Sequence, residues 1–230
     1  MDSKTQQLLS EKNRRDYNDL ATQFDLTRQR IWSELKGQLP RFEPNDRVLD
    51  LGCGNGRLID AHGSNHVKEY VGVDVSEESI KNARAAFKTS HPEARFEVGD
   101  ATRLEFAGGY FDKLLMVAVL HQIPGVEARE QVLREIHRVL KPGGLALLSV
   151  WDLSRLKFWP ELLKFTLKKL FGQHSMDWGD ILVPRRGTQI QRYYHVFTRW
   201  GLQKLLLEMD FEIVSAYQGK NFVYLLRKKG

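Results

Sequence analysis

Nine consecutive residues constrain this chain more than any others: Val48-Leu49-Asp50-Leu51-Gly52-Cys53-Gly54-Asn55-Gly56, followed at a short interval by Val71-Gly72-Val73-Asp74. A mostly apolar run that ends in alternating glycines reads as a strand turning sharply at its carboxyl end. Val71 to Asp74 reads as the next strand, and an acid ending that strand is placed to accept hydrogen bonds from ribose hydroxyls. The pair opens an α/β unit with a nucleoside crevice at its strand tips. The glycines follow G-x-G-x-G, with Arg57 at the position where a dinucleotide fingerprint has its third glycine, so no pyrophosphate site is evident and NAD is disfavoured.

The remaining pattern is consistent with that unit. Strands are expected at 47–51, 69–74, 95–99, 111–119 and 145–150, alternating with helices from Gly56, from Ser76 to Phe87 and from Val126 to Leu140. Ser76 followed by Glu77 and Glu78 is a helix start, and Lys141-Pro142-Gly143-Gly144 is a stop. Two helices, 3–21 and 26–38, open the chain, the second with Ile31, Trp32 and Leu35 at helical spacing. A helix at 199–209 and strands at 211–217 and 222–227 close it. Alternating strands and helices mean an α/β fold with a mostly parallel sheet, and the terminal hairpin supplies an antiparallel edge strand.

With 230 residues, 42% of them hydrophobic, the chain has material for one substantial core. The expected organisation is a single domain: an N-terminal helical cap (1–40), a cofactor-binding core (41–151), an insertion or substrate lid (152–197) and a C-terminal helix with a strand hairpin (198–230). Met1 to Arg15 lacks an apolar signal core and no segment is long and apolar enough for a membrane span, so a soluble, cytoplasmic protein is expected. Cys53 is the only cysteine, which excludes an intrachain disulfide and a cysteine zinc cluster, and no metal site is expected. Residues 153–230 hold 14 Lys and Arg against 6 Asp and Glu, whereas residues 1–152 hold 21 against 23. The positive field therefore belongs to the C-terminal third, as expected of a surface that meets a polyanion, either nucleic acid or an anionic membrane.

Taken together, Asp50 to Gly56, Gly72 to Ser76, Val98-Gly99-Asp100-Ala101, Phe111 to Leu115 and Val139 to Gly144 resemble the class I S-adenosylmethionine-dependent methyltransferases over most of the chain. The resemblance implies a Rossmann-like fold with a mostly parallel seven-stranded sheet, helices on both faces, and S-adenosylmethionine as cofactor. It places Gly52, Gly54 and Gly56 at the methionine moiety, Asp74 at the ribose, and Asp100 and Ala101 at the adenine, with Asp50, Asn55 and Val75 also at the cofactor. Tyr17, Arg28 and Val117 complete the expected cofactor site.

A narrower similarity lies outside the core, in Tyr17, Phe24, Asp25, Thr27 and Arg28, in Gly179-Asp180-Ile181-Leu182-Val183-Pro184, and in Arg192-Tyr193-Tyr194-His195-Val196-Phe197. These segments resemble the tRNA wobble-uridine carboxymethyl methyltransferases. In that family a tryptophan usually follows the proline, where this chain has Arg185. The resemblance implies tRNA as substrate, and relatives work with a small zinc-binding activator protein docked on the sheet edge, here Arg95 to Val98.

Methyl transfer from a sulfonium is an in-line displacement, so the protein must chiefly hold donor and acceptor in line and exclude water. A carboxylate acceptor is already anionic and needs no general base. It needs cationic or hydrogen-bonding groups, for which Arg192, His195 and His121 are the catalytic candidates. His121 follows an apolar strand at the sheet end where open α/β folds bind ligands. Trp151, Tyr193, Tyr194, Arg185 and Arg186 are the substrate-binding candidates, with Trp151 placed to stack on a base. Cytosine C5 methylation is disfavoured because it needs a cysteine nucleophile near the fourth or sixth strand. Amino methylation is disfavoured because Val119-Leu120-His121-Gln122 lacks the acid or Asn, the prolines and the aromatic of enzymes that perform it.

Leu153 to Phe171 supports a second reading. Leu156, Trp159, Leu163, Leu167 and Leu170 fall at helical spacing among Lys157, Lys164, Lys168 and Lys169, with the helix confined to the part beyond Pro160. A basic amphipathic helix can lie on an anionic membrane, which keeps open a methyltransferase for a lipid or quinone-like substrate. Such a helix equally serves as a lid whose lysines face RNA phosphates. That use is preferred because the Arg192 to Phe197 motif accompanies it.

Overall fold

The computed structural model describes residues 1–27, 32–62, 67–185 and 187–230; Arg28, Ile31 and Arg186 lie outside them. The chain opens with α1 (Ser3–Thr27) and α2 (Ser33–Lys36), then runs β1 (Arg47–Leu51), β2 (Glu69–Asp74), α3 (Glu77–Phe87), β3 (Ala94–Val98), β4 (Phe111–Val117), α4 (Val126–Val139) and β5 (Leu140–Trp151). It continues through α5 (Trp159–Leu170), β6 (Asp180–Pro184), β7 (Gln191–His195), α6 (Arg199–Glu208), β8 (Phe211–Gln218) and β9 (Asn221–Lys228).

Seven strands form one sheet in the order β3-β2-β1-β4-β5-β9-β8, and β6 pairs with β7 in a separate hairpin. From β3 to β5 every pairing is parallel, while β9 is antiparallel to both β5 and β8. The terminal hairpin thus closes one end of a Rossmann-like sheet as expected, with β9 one place in from the edge and β8 outermost.

Successive strand residues face opposite ways, so each strand feeds two cores. Leu49 and Leu51 of β1 and Val71 and Val73 of β2 pack with Val132, Leu133 and Ile136 of α4 and with Leu202 and Leu206 of α6. Val48 and Tyr70 face the other way, into a cluster with Ile80 and Ala83 of α3 and Phe96 of β3. Ser76 caps α3 by accepting the Ser79 amide at 3.2 Å, with Glu77 and Glu78 in the first turn. A third cluster, containing Leu153, Phe165, Met176, Ile181, Tyr193 and Tyr194, lies beneath the insertion.

Several elements differ from the sequence expectation. The first helix runs to Thr27 without a break, because no glycine or proline interrupts residues 3–27. Of the helix expected from Gly56, the described residues show a 3-10 turn, Ile59–His62, preceded by three positive-φ glycines; residues 63–66 lie outside them. β4 ends at Val117 because Ala118 has φ 61°, a left-handed conformation that a strand cannot continue. β5 begins directly at Leu140, and Lys141 to Gly144 form an irregularity in it: Leu140 pairs with Phe111, and the next paired residues are Leu145 and Lys113. The β6–β7 hairpin within the insertion was not expected as strands.

Candidate functional site

The carboxyl ends of β1, β2 and β4 open into a cleft of about 340 Å³, within the range of small-ligand sites. α1 covers it. Gln6, Ser10, Asn13, Arg14 and Tyr17 recur at three- and four-residue spacing, so one face of the helix lines the wall. Asn13 Nδ2 donates to the Gln122 backbone carbonyl at 2.8 Å, and Asn18 Oδ1 accepts the Ser76 hydroxyl at 2.8 Å. These bonds join the helix to both sides of the cleft.

The glycine turn is built around positive φ at Gly52 (75°), Gly54 (55°) and Gly56 (77°). Two amides, Gly52 and Cys53, donate to the Val73 carbonyl at 2.7 and 3.1 Å, which bolts the turn to β2. A Cβ on Gly52 would lie 2.2 Å from Val119 Cγ2, whereas a Cβ on Gly54 would meet nothing within 4 Å. The first glycine is therefore needed for packing and the second leaves open space in the wall. Asp74 takes the Gly54 amide at 2.8 Å and the Ser76 amide at 2.9 Å, so the same carboxylate ties the turn to the start of α3.

Of the expected cofactor residues, Tyr17, Gly52, Gly54, Asn55, Asp74, Val75, Asp100, Ala101 and Val117 line the cleft. Asp100 accepts the Thr102 amide and hydroxyl at 2.8 and 2.7 Å, a turn that holds an exposed acid at the tip of β3. Gly56 and Asp50 are buried and do not line it, and Arg28 lies outside the described residues. Asp50 is 0% exposed; its Oδ2 accepts the Tyr70 hydroxyl at 2.7 Å, while its Oδ1 has no hydrogen-bond partner among the described residues. Burial pushes its carboxyl up to about 7 against the opposing pull of the Tyr70 hydroxyl and Arg57. Lining residues outside the sequence expectation are the α1 face beyond Tyr17 and the wall from Ala118 to Pro124. The first carried a signal, a polar stripe at helical spacing; the second depends on where β4 stops.

Four expected substrate-side residues come together beside the cleft. His121 lies in a 3-10 turn, Leu120–Gln122, whose last residue lines the cofactor cleft. Its ring centroid is 5.2 Å from Trp151 and 5.5 Å from Tyr194, and those two rings are 5.3 Å apart. The Arg192 guanidinium sits 5.3 Å from the Tyr194 ring centroid and 5.9 Å from that of Trp151. Trp151 and Arg192 are half-buried, whereas His121 and Tyr194 are buried. A catalytic contact by His121 is therefore not what this arrangement offers: the imidazole backs the stack, and Arg192 and Trp151 present its surface. α1 reaches this strand too, since Lys12 Nζ donates to the Gln191 carbonyl at 2.6 Å.

Two other candidates point away. Along β7, Arg192 and Tyr194 take one face, and Tyr193 and His195 the opposite one. His195 Nδ1 pairs with Asp180 Oδ1 at 2.8 Å, and Arg129 reaches the Tyr193 hydroxyl at 3.1 Å and Asp180 at 3.9 Å. Arg129 also contacts Asp177, which pairs with the amine of Met1. Burial lowers the His195 imidazole pKa against the opposing effect of Asp180. His195 and Tyr193 thus belong to a buried clamp between the insertion and α4, and the catalytic role expected of His195 does not fit its position. Arg185 lies beyond Pro184 in the hairpin turn, where its amide donates to the Ile190 carbonyl at 2.9 Å, and Arg186 is outside the described residues.

An acid at the tip of β2, open space at Gly54 and apolar walls from Leu51, Val73 and Val117 suit a nucleoside carrying a short polar tail. Residues 48–144 match the family model described as a methyltransferase domain. Over 202 residues the chain is 32% identical to a protein of Encephalitozoon cuniculi named only as a methyltransferase, covering 87% of each. It is 31% identical over 153 residues to the tRNA (carboxymethyluridine(34)-5-O)-methyltransferase of Arabidopsis thaliana, covering 64% of this chain but only 36% of that enzyme. Among solved structures it is similar to a SAM-dependent methyltransferase from Methanosarcina mazei, with TM-score 0.71, 25% identity, and coverage of 86% of this chain and 98% of the other. A chain in the complex of the Haloferax volcanii Trm112 methyltransferase activator with a methyltransferase shares the fold, with TM-score 0.69, 17% identity, and coverage of 95% and 98%. S-adenosylmethionine is the cofactor, and the cleft's residues fit it. Among the described residues no helix is long and apolar enough to cross a membrane.

Proposed function

This chain belongs to the class I S-adenosylmethionine-dependent methyltransferases, and on that premise we propose that it esterifies the carboxymethyl group of a C5-modified wobble uridine in tRNA. The observation that carries the reading is the Arg192 guanidinium beside the Trp151 and Tyr194 rings, one residue removed from the cofactor cleft through His121 and Gln122. A guanidinium offers a planar pair of donors to a carboxylate, and an aromatic face beside it accepts a pyrimidine.

When bound, S-adenosylmethionine supplies an electrophilic methyl group. Arg192 then holds the acceptor carboxylate without taking a proton from it, Trp151 orients the base, and His121 and Tyr194 keep both in place from behind. Asp74 fixes the ribose end of the cleft while holding the glycine turn, and α1 excludes water from above. The basic residues of the C-terminal third outside residues 153–171 meet the tRNA backbone, which makes binding salt-dependent. The likeness to the Arabidopsis enzyme supports this acceptor. A small activator of the kind in the Haloferax complex would find β3 as an outermost strand, with Arg95 and Val98 each about half exposed.

The test replaces the acceptor's charge. Purified protein is given tRNA carrying either 5-carboxymethyluridine or its neutral carbamoylmethyl analogue at the wobble position, and nucleosides are read by mass spectrometry. Methylation confined to the acid supports the reading; equal methylation elsewhere in both tRNAs removes it.

A further inference from the structure

α5 has an inward face and a second apolar face for which the fold supplies no core. Phe165 is buried in the cluster with Met176, Ile181 and Tyr193, and this face seats the helix. Trp159, Leu163, Leu167, Leu170 and Phe171 are exposed by 57, 61, 45, 64 and 75%. At 3.6 residues per turn, Trp159, Leu163, Leu167 and Leu170 form one stripe whose middle lies about 160° round the helix from Phe165. The stripe therefore faces away from the protein, and the fold does not require it.

Lys164 and Lys168 lie on one flank of the helix, about 105° and 145° round from the middle of the stripe and so between it and Phe165, and Lys157 lies just before the helix. Lys157, Lys164 and Lys168 lie 4.6, 5.9 and 5.8 Å from the ring centroids of Phe158, Phe165 and Phe165. Among the described residues none of the three pairs with a carboxylate. We propose that α5 is an interfacial helix that docks on an anionic lipid surface, with its leucines in the acyl boundary and its lysines at the headgroups. Trp159 and Phe171 at the two ends of the row suit the level between headgroup and acyl chain. A row of leucines has nothing to bury itself in along an RNA backbone, and a second copy would cover the leucines but bring no counter-charge to the lysines. An anionic bilayer satisfies both the apolar and the basic residues. This surface is independent of the acceptor, because the stripe is separate from the cleft and from the Arg192 stack.

The test is co-sedimentation of the full chain with phosphatidylcholine vesicles, with and without a third of the lipid as phosphatidylserine. Binding to the anionic vesicles is expected to be about tenfold or more tighter, and Leu163→Glu/Leu167→Glu loses it. Lys157→Gln/Lys164→Gln/Lys168→Gln removes the preference for phosphatidylserine. Both variants keep the wild-type melting temperature and S-adenosylmethionine affinity, which separates lost docking from lost folding. Absence of binding, or equal binding by the leucine variant, overturns the proposal. So does self-association, or tRNA binding, that the leucine variant abolishes, since either gives the stripe another occupant.

Discussion

The Gly54 amide donates to Asp74 at 2.8 Å, so the acid that ends β2 also holds the glycine turn that ends β1. Its other oxygen takes the Ser76 amide at the start of α3. Asp74→Ala therefore removes two charge-assisted backbone bonds and, on the proposed reading, the acid that holds the ribose. S-adenosylmethionine affinity falls at least about tenfold, and stability falls by about 1–3 kcal/mol. Calorimetric titration and urea unfolding of the same variant read the two losses separately.

The glycines of the turn divide into two kinds. Gly52→Ala drives a methyl group into Val119 from a backbone that disfavours it, at a cost of about 2–4 kcal/mol of stability. Gly54→Ala meets no neighbour, so it costs only about 1 kcal/mol from its positive φ. Its methyl group instead projects into the open cleft wall, where the cofactor is proposed to sit. Chemical unfolding ranks Gly52→Ala below Gly54→Ala in stability, and cofactor titration of the folded proteins shows Gly54→Ala impaired.

Asp50 makes stability depend on pH in an unusual direction. Its folded carboxyl titrates at about 7, against 3.8 for an ordinary aspartate. Between those values the native state holds a proton that the unfolded chain has lost, so this group's contribution falls as pH rises and levels off above about 7. Asp50→Asn removes that dependence while keeping an oxygen for the Tyr70 hydroxyl. Relative to wild type it gains stability from pH 4 to pH 7, on the order of 3 kcal/mol in all. Urea unfolding across that range checks the slope; a constant difference contradicts it.

Arg192 and His195, three residues apart on β7, are expected to fail differently. His195→Ala leaves the buried Asp180 short of a partner 2.8 Å away and costs about 1–3 kcal/mol of stability. Arg192→Ala leaves that clamp intact and melts within about 0.5 kcal/mol of wild type. Unfolding midpoints of the two variants, beside their methylation rates, decide which residue is structural.

The glycine turn and Asp74 were legible because a sharp backbone turn at a strand end demands particular residues in a particular order. Arg192-Tyr193-Tyr194-His195 was recognisable as a motif but not as two half-motifs. Only once the segment is a strand does period two send Arg192 and Tyr194 to the stack and Tyr193 and His195 to Asp180. His121 was legible as a strand-end residue, yet its burial depends on Trp151 and Tyr194, which arrive from distant parts of the chain. α1 showed its polar face at helical spacing, but a stripe of Gln, Ser, Asn and Arg marks a cleft wall only when a cleft lies beneath it.

The most direct measurement is transfer of labelled methyl from S-adenosylmethionine to tRNA bearing 5-carboxymethyluridine, followed by mild base hydrolysis, in wild type, Asp74→Ala and Arg192→Ala. The proposed ester transfer predicts base-labile label in the wild type, lowered about tenfold by Asp74→Ala at subsaturating cofactor and at least about a hundredfold by Arg192→Ala with cofactor affinity intact. Full transfer by Arg192→Ala, or base-stable label, would contradict it.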